Sequence, residues 1–355
     1  MNLRRSPAGA VIRAVERGPL NIGIIGLGFM GSTHLNAWSG IPGASLIAVA
    51  DPKPHRLAGD LSDIQGNIGG PGVRRDFTRV NGYRTPEELI ADPAVEAVDI
   101  CLPTNFHLPV TLAAFAAGKH VVVEKPMALS GEACDRMIAA AAQAGRVLMV
   151  AHVVRYWPDY AAARELFRSG RLGALRSAIF HRKCAAPMWG RWLKDSARSG
   201  GGVFDLLIHD VDFCHQLFGS PLAVRAEGPE QLDRGIDWVL ARLEYPHGAP
   251  VAISGGWHHP QSYPFSMDFT LVAEGGTLDY NSAFRPLTLY LADGTEQKPE
   301  LEIHDAYQAE LNYFLACAQA NHWPEDCRPQ ESAAAVRTAL AINESRRRGG
   351  ERIAL

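Results

Sequence analysis

The sequence predicts an α/β fold in two domains: an N-terminal doubly wound parallel sheet and a C-terminal α+β domain built on a largely antiparallel open sheet. Three observations carry this reading. The chain has 355 residues, more than one compact core usually holds. Its N-terminal half alternates short apolar runs with helical segments, the pattern of parallel βαβ units. Beyond about residue 150, strands follow one another across short turns, which implies antiparallel pairing.

Taken in order, residues 1–19 read as a flexible leader. Arg4-Arg5 could open an export signal, but Arg13, Glu16 and Arg17 interrupt the apolar stretch such a signal needs. Residues 20–150 form the first domain. Its strands are expected at Leu20–Gly26, Ser45–Ala50, Ala97–Cys101, His120–Val123 and Val147–Val150, with a surface loop from Gly66 to Gly72. Thr85-Pro86-Glu87-Glu88 is a capping box with proline in the first turn, so a helix starts there. A second helix runs from Ser130 to Ala144 and is closed by Gly145. Residues 151–355 form the second domain. Helices are expected at Pro158–Arg168 and Gly202–Phe218, and strands at Arg176–Arg182, Ala223–Glu227, Asp237–Glu244, Val251–Gly256, Phe265–Glu274 and Gly276–Tyr280. Helices at Ala306–Ala320 and Ser332–Arg346 end the chain and can pack back on the first domain.

Composition excludes several classes. Thirty-five basic and 38 acidic residues leave a net charge of −3, too little positive charge to draw nucleic acid or an anionic membrane. Arg346-Arg347-Arg348, before a Gly-Gly pair, reads as a frayed, solvated helix end. No apolar run approaches the roughly 20 residues of a membrane span. Six scattered cysteines without a C-x-x-C pair fit reduced thiols in a cytoplasmic protein.

Gly26-Leu27-Gly28-Phe29-Met30-Gly31 follows a strand and opens a helix, the context that makes G-x-G-x-x-G a dinucleotide fingerprint of the Rossmann type. Gly26 permits the tight turn, Gly28 lets backbone approach the pyrophosphate, and Gly31 lets helix and strand pack. Asp51 ends the second strand about 20 residues on, where a carboxylate bonds the ribose hydroxyls of NAD and repels a 2′-phosphate. NAD is therefore the expected cofactor. Lys53 and Arg56 could partly offset that repulsion and keep NADP open.

Three further segments point to an enzyme. Pro103-Thr104-Asn105-Phe106-His107 and Glu124-Lys125-Pro126 follow parallel strands at their carboxyl ends, where ligands bind in such sheets. Pro103, Thr104, Asn105, His107, Glu124 and Lys125 are thus candidate cofactor contacts, beside Phe29 and Met30. The third segment runs from Gly200-Gly201-Gly202 through Asp205 and His209 to Asp212. These motifs resemble the glucose–fructose oxidoreductase and inositol dehydrogenase family from about Asn21 to the last helix, strongly in the N-terminal half and by architecture alone beyond residue 220. The resemblance implies a catalytic set of Lys125, Asp205 and His209. One departure is Leu207, where many relatives have glycine.

The chemistry agrees with that set. Oxidising a secondary alcohol removes the hydroxyl proton as hydride leaves, and histidine suits the base. Asp205 and His209, four residues apart on a helix, share a face, so the carboxylate can orient the imidazole. Lys125 can donate to the substrate oxygen and stabilise developing alkoxide. Asp205 and His209, with Asp212 and His215, could instead ligate a metal; no metal is expected. His258-His259 reads as a solvated rim pair.

Arg155, Asp212 and Trp189 are the candidate substrate contacts. The resemblance places an arginine or another polar residue at the position of Arg155 against the substrate, and aromatic faces such as Trp189 and Trp192 suit a sugar ring. It makes a sugar, polyol or glycoside the expected substrate. Two other functions fit the same residues: a redox-neutral glycosidase using bound NAD, and a non-catalytic dinucleotide or sugar sensor. A homodimer or homotetramer through the C-terminal sheet is expected, because a large apolar sheet face does not stay bare.

Overall fold

The computed structural model describes residues 3–5, 11–13, 18–66, 72–188 and 190–355. The chain divides into two compact units: residues 1–156 with 304–333, and residues 157–303 with 334–355.

In the first unit, six strands form one sheet: β1 (Leu20–Ile25), β2 (Ala44–Ala50), β3 (Asn81–Tyr83), β4 (Ala97–Ile100), β5 (His120–Glu124) and β6 (Leu148–Ala151). All neighbours are parallel, in the order β3-β2-β1-β4-β5-β6. This is the classic doubly wound order, and it reverses direction between β1 and β4, where ligands bind. Every residue of β4, β5 and β6 is buried, as expected of strands covered on both faces. The sequence reading lacked β3. That strand has three residues, two of them exposed, around a central glycine, so it carries no apolar run to read.

The helices of this unit start where the sequence places their caps. These are α1 (Phe29–Ser39), α2 (Pro86–Ala91), α3 (His107–Ala116) and α4 (Gly131–Ala144). Thr85 and Glu88 form the reciprocal capping box on α2. Ser130 caps α4 by accepting from Ala133 N, and Gly145 closes it in the left-handed region. A helix from Ala306 to Ala320 also belongs to this unit and lies on α1, with Trp38 and Phe314 meeting edge to face at 6.4 Å.

The second unit holds a ten-stranded sheet. Its main strands are β7 (Leu175–Ala185), β8 (Ala223–Glu227), β9 (Ile236–Glu244), β10 (Val251–His259), β11 (Ser266–Ala273), β12 (Gly276–Asn281) and β13 (Arg285–Leu291). Pairing is antiparallel except between β7 and β10. That one parallel pair arises because β10 sits between β7 and β9, so the chain must leave β7 and cross back to reach it. Sequence reading also lacked β13, whose second residue is Pro286 and whose first two positions are exposed. Alternate side chains of β7 are buried, from Ala178 through Phe180 and Arg182 to Cys184, and face α5 (Pro158–Arg168) and α6 (Ile208–Phe218).

Arg346 departs from expectation. It is buried, paired with the buried Asp237 and 3.2 Å from Glu230. The following Gly349 and Gly350, both with positive φ, turn the chain so that Ile353–Ala354 joins the sheet beside β8. This return draws the helix end inward and leaves only Arg347 and Arg348 in solvent.

Within residues 1–19, Leu3–Arg5 pairs antiparallel with Val11–Arg13. Most of the expected loop from Gly66 to Gly72 lies outside the described residues. No helix among the described residues is long and apolar enough to cross a membrane. All six cysteines stand outside disulfides, and five of them are buried.

Candidate active site

The glycine-rich turn links β1 to α1. Gly26 has φ +95, and a Cβ there would press on the Cys101 carbonyl. A Cβ on Gly31 would collide with the Gly26 carbonyl itself. These two positions therefore have to be glycine for α1 to start this close to the sheet. Gly28 is different: nothing lies within 4 Å of its hypothetical Cβ. As N-cap of α1 it offers no side-chain cap, and a helix start of this kind suits an anion. Gly28, Phe29 and Met30 are partly exposed while Gly26 and Gly31 are buried, so the turn presents its middle outward.

Asp51 closes this turn from the end of β2. Its Oδ2 accepts from Leu27 N at 2.9 Å and its Oδ1 from Lys53 N at 2.9 Å. A carboxylate has about four acceptor positions, so room is left for ribose hydroxyls. The two nearby cations are already engaged. Asp63 takes Lys53 at 2.8 Å and Arg56 at 2.9 Å, and these contacts hold its carboxyl well below the ordinary range, the Arg56 hydrogen bonds most of all; Arg56 Nη1 also lies 3.5 Å from Asp51 Oδ2.

A 3-10 turn at Thr104–Phe106 follows β4. Thr104 is buried, and Asn105 Oδ1 is a buried acceptor with no hydrogen-bond partner among the described residues. A ligand rich in donors would satisfy it. An open Gly28, an uncapped helix start, Asp51 and this orphaned acceptor all suit a dinucleotide. His107 is held differently from the expected cofactor contact. It is buried, with Nδ1 2.9 Å from Pro126 O and Nε2 2.8 Å from Leu102 O, so it fastens the segments after β4 and β5 together. Burial holds its pKa below the usual imidazole range.

Glu124 ends β5. Its Oε2 accepts from Lys125 N at 3.0 Å. Lys125 is half-buried between buried Glu124 and buried Pro126. Arg155, expected to face the substrate, donates from Nη1 to Asp326 O at 2.8 Å and Glu331 at 2.7 Å. It is buried and ties the residue 325–331 segment to the end of β6.

In the second unit, the expected continuous helix Gly202–Phe218 is two segments: a π-turn at Val203–Leu207, then α6. Gly202 N donates to Asp237 Oδ2 at 2.5 Å, and a Cβ on Gly201 would strike that same oxygen. Asp237, held by Arg346, thus sets where the segment begins. The π-turn bonds i to i+5, a widening that recurs at functional sites. Asp205 lies in it and His209 in the first turn of α6. From residue 201 to 214 every position is buried except these two, so they share the one accessible stripe. Asp212 is buried. Trp189 lies outside the described residues. Trp192 packs against the cluster of Cys184, Leu193, Leu206 and Trp257. His258 is exposed, and His259 stacks on Tyr263 at 3.9 Å.

Sequence reasoning missed a buried polar set within the first unit: His34, Asp99 and Glu310. One signal could have found it. Asp99 interrupts the apolar run Ala97-Val98-Asp99-Ile100, and a carboxylate in a covered strand needs a built partner.

Comparison with known proteins agrees with the fold of the two units. Residues 20–152 match the model of an oxidoreductase family with an NAD-binding Rossmann fold. Residues 160–279 match the GFO/IDH/MocA C-terminal domain. The chain is 32% identical to myo-inositol 2-dehydrogenase of Thermotoga maritima, over 86% of this chain and 90% of that one. It is 34% identical to inositol 2-dehydrogenase 2 of Saccharopolyspora erythraea, over 83% and 84%. Among solved structures, levoglucosan dehydrogenase in complex with NADH and levoglucosan superposes with TM-score 0.81 at 21% identity, over 95% of this chain and 99% of that one.

Proposed function

Because the chain belongs to the GFO/IDH/MocA family, NAD(P)-dependent dehydrogenases acting on CH–OH groups, we propose that it oxidises a hydroxyl of a sugar or polyol with NAD, Lys125, Asp205 and His209 carrying the proton chemistry. The observation that carries this reading is the single accessible stripe of Asp205 and His209 on an otherwise buried helix start.

The cofactor, when bound, supplies the two-electron acceptor. The protein's residues do the rest. The turn from Gly26 to Gly31 and the start of α1 hold the pyrophosphate, Asp51 the adenosine ribose, and Asn105 a donor of the ligand. His209 takes the hydroxyl proton. Asp205 orients the imidazole and stabilises its charged form. The Lys125 ammonium donates to the substrate oxygen as negative charge develops there. The buried ion pair of Arg155 supports a role in holding the wall of the site, and Asp212 a supporting place behind His209. Inositols are the favoured substrate class, because the two relatives named above are inositol 2-dehydrogenases. Assembly through the open face of the second sheet, as a dimer or tetramer, and a reducing, cytoplasmic setting for the six thiols complete the proposal.

Asp51, whose cationic neighbours Lys53 and Arg56 are held chiefly by Asp63 with Arg56 reaching Asp51 only at 3.5 Å, supports NAD over NADP. Asp51→Ala is expected to cut the ratio of kcat/KM for NAD to that for NADP by about tenfold or more, on the order of 1.4 kcal/mol. Parallel initial rates with the two cofactors read this directly, and an unchanged ratio would remove Asp51 from the selectivity.

The function itself is tested by following NADH absorbance while inositols, aldoses and levoglucosan are offered with NAD and NADP. A substrate-dependent rise is the expected result. Silence across the panel, with NADH still bound tightly, would overturn the dehydrogenase reading in favour of a redox-neutral glycosidase or a sensor.

A further inference from the structure

Hydride transfer as described makes no use of the buried charges beneath β4 and β5. Asp99 has no exposed surface. An unpaired carboxylate there would cost several kcal/mol or more, and partners are built in. Trp38 Nε1 donates to Asp99 Oδ2 at 2.7 Å, and His34 Nδ1 lies 2.9 Å from the same oxygen. Cys101 Sγ sits 3.4 Å from Asp99 Oδ1 and 3.5 Å from His34 Nδ1. Across the imidazole, Nε2 is 3.0 Å from Glu124 Oε1, an ion-pair contact without the alignment of a hydrogen bond. The other oxygen of Glu124 accepts from Lys125 N. Asp99, His34, Glu124 and the Lys125 backbone therefore form one continuous line within the first unit.

A ring with a carboxylate oxygen against each nitrogen carries a proton on both. We propose that His34 is a positioning residue: as an imidazolium between Asp99 and Glu124, it holds the Glu124 carboxylate on the Lys125 N–H and so fixes the backbone that presents the Lys125 ammonium. The catalytic value of this rests on the reading of Lys125 given above; the geometric claim does not.

The groups facing His34 support the charge. Burial alone would lower its pKa, but Asp99 and Cys101 outweigh burial and raise it well above the usual imidazole range. From the Ala306–Ala320 helix, Tyr307 approaches to 6.2 Å between ring centroids. Glu310 is fully buried, and neither of its oxygens has a hydrogen-bond partner among the described residues. Burial raises its pKa well above the carboxylate range, which disfavours a second carboxylate charge against the imidazolium. Because the folded pKa of His34 is raised, its contribution is full at acid and neutral pH and is lost as pH climbs through that raised value.

The test needs no substrate. Trace acetylation of lysines, read peptide by peptide by mass spectrometry, is compared between wild type and His34→Gln. The expected result is a change of about threefold or more in labelling at Lys125, with Lys183 and Lys194 unchanged and NADH still bound by fluorescence titration. Equal labelling of Lys125 in both proteins overturns the proposal. Should His34→Gln fail to fold, Asp99→Asn removes the charge that holds the imidazolium, and the same two outcomes decide. Wild-type histidine ring nitrogens give a second readout. One imidazolium persisting at pH 8 in the NMR spectrum and lost in His34→Gln is expected; its absence from the wild type overturns the proposal. Undiminished turnover by Lys125→Met would sink the catalytic reading alone, leaving the labelling result in place.

Discussion

Replacing His209 with alanine is expected to lower kcat by about 10²–10⁴-fold while NADH binding is retained. The size follows from what is removed. A proton must leave the hydroxyl as the C–H bond breaks, and without a placed base it leaves to water. The proposed cofactor contacts all lie in the first unit, on β1, β2, α1 and the turns after β4 and β5, whereas His209 is in the second. Binding and chemistry should therefore separate cleanly. Lys125→Met is expected to cost a similar order, because it deletes the charge that meets the developing alkoxide. Asp205→Asn should cost less than either, and the Asp205→Asn/His209→Ala pair no more than His209→Ala alone, since groups acting as a unit are not additive. Steady-state rates on the best substrate of the panel, with NADH Kd alongside, check all four. A His209→Ala enzyme with turnover near wild type would refute the assignment.

The largest effect on stability is expected at Asp210, the neighbour of His209 on α6. Its carboxylate takes Arg182 Nε at 2.8 Å and Nη2 at 3.0 Å, and both side chains are buried. Around them stand Tyr160, Phe213, Phe269 and Tyr280, with ring centroids 4.9–5.7 Å from Tyr160. Asp210→Ala leaves the guanidinium uncompensated in this aromatic core, at about 3–5 kcal/mol. At about 2–4 °C per kcal/mol for a unit of this size, Tm should fall by roughly 6–20 °C. Removing both charges is different: Arg182→Met with Asp210→Leu should recover most of the loss, because a buried pair barely offsets its own desolvation. Calorimetry of the wild type and the two variants settles it. A double variant no more stable than Asp210→Ala would show that shape, not charge, dominates there.

Fold and site were legible to different depths. Elements with an apolar run and a chemical boundary were readable: Thr85, Ser130 and Gly145 are caps whose function is local. The glycine turn was readable for the same reason, since Gly26 and Gly31 answer to atoms a few residues away or on the adjoining strand. Strands at or next to an edge were not. β3 lies at an edge and β13 one place in from one, and both draw their pairing from neighbours, not from their own pattern. Arg346 misled because three arginines before two glycines describe a solvated end unless the chain later turns back. The π-turn at Val203–Leu207 has no periodicity of its own to distinguish it from α. His34 is the instructive case. Nothing around it in α1 signals a charge, and its role exists only where β4, β5 and α1 converge.

The Ala306–Ala320 helix belongs to the first unit although the whole of residues 157–303 precedes it in the chain. During synthesis the parallel sheet can emerge and pair early, yet the face of α1 around Trp38, and the pocket that Glu310 fills, stay uncovered until the far end of the chain arrives. At about 5–20 residues per second that interval is on the order of 10–30 s. The nascent protein therefore spends it with an open flank, exposed to chaperones and to other nascent chains. A ribosome stalled anywhere short of residue 333 carries a nucleotide-binding unit that cannot yet close. The unit that begins first is, in the order of manufacture, finished almost last.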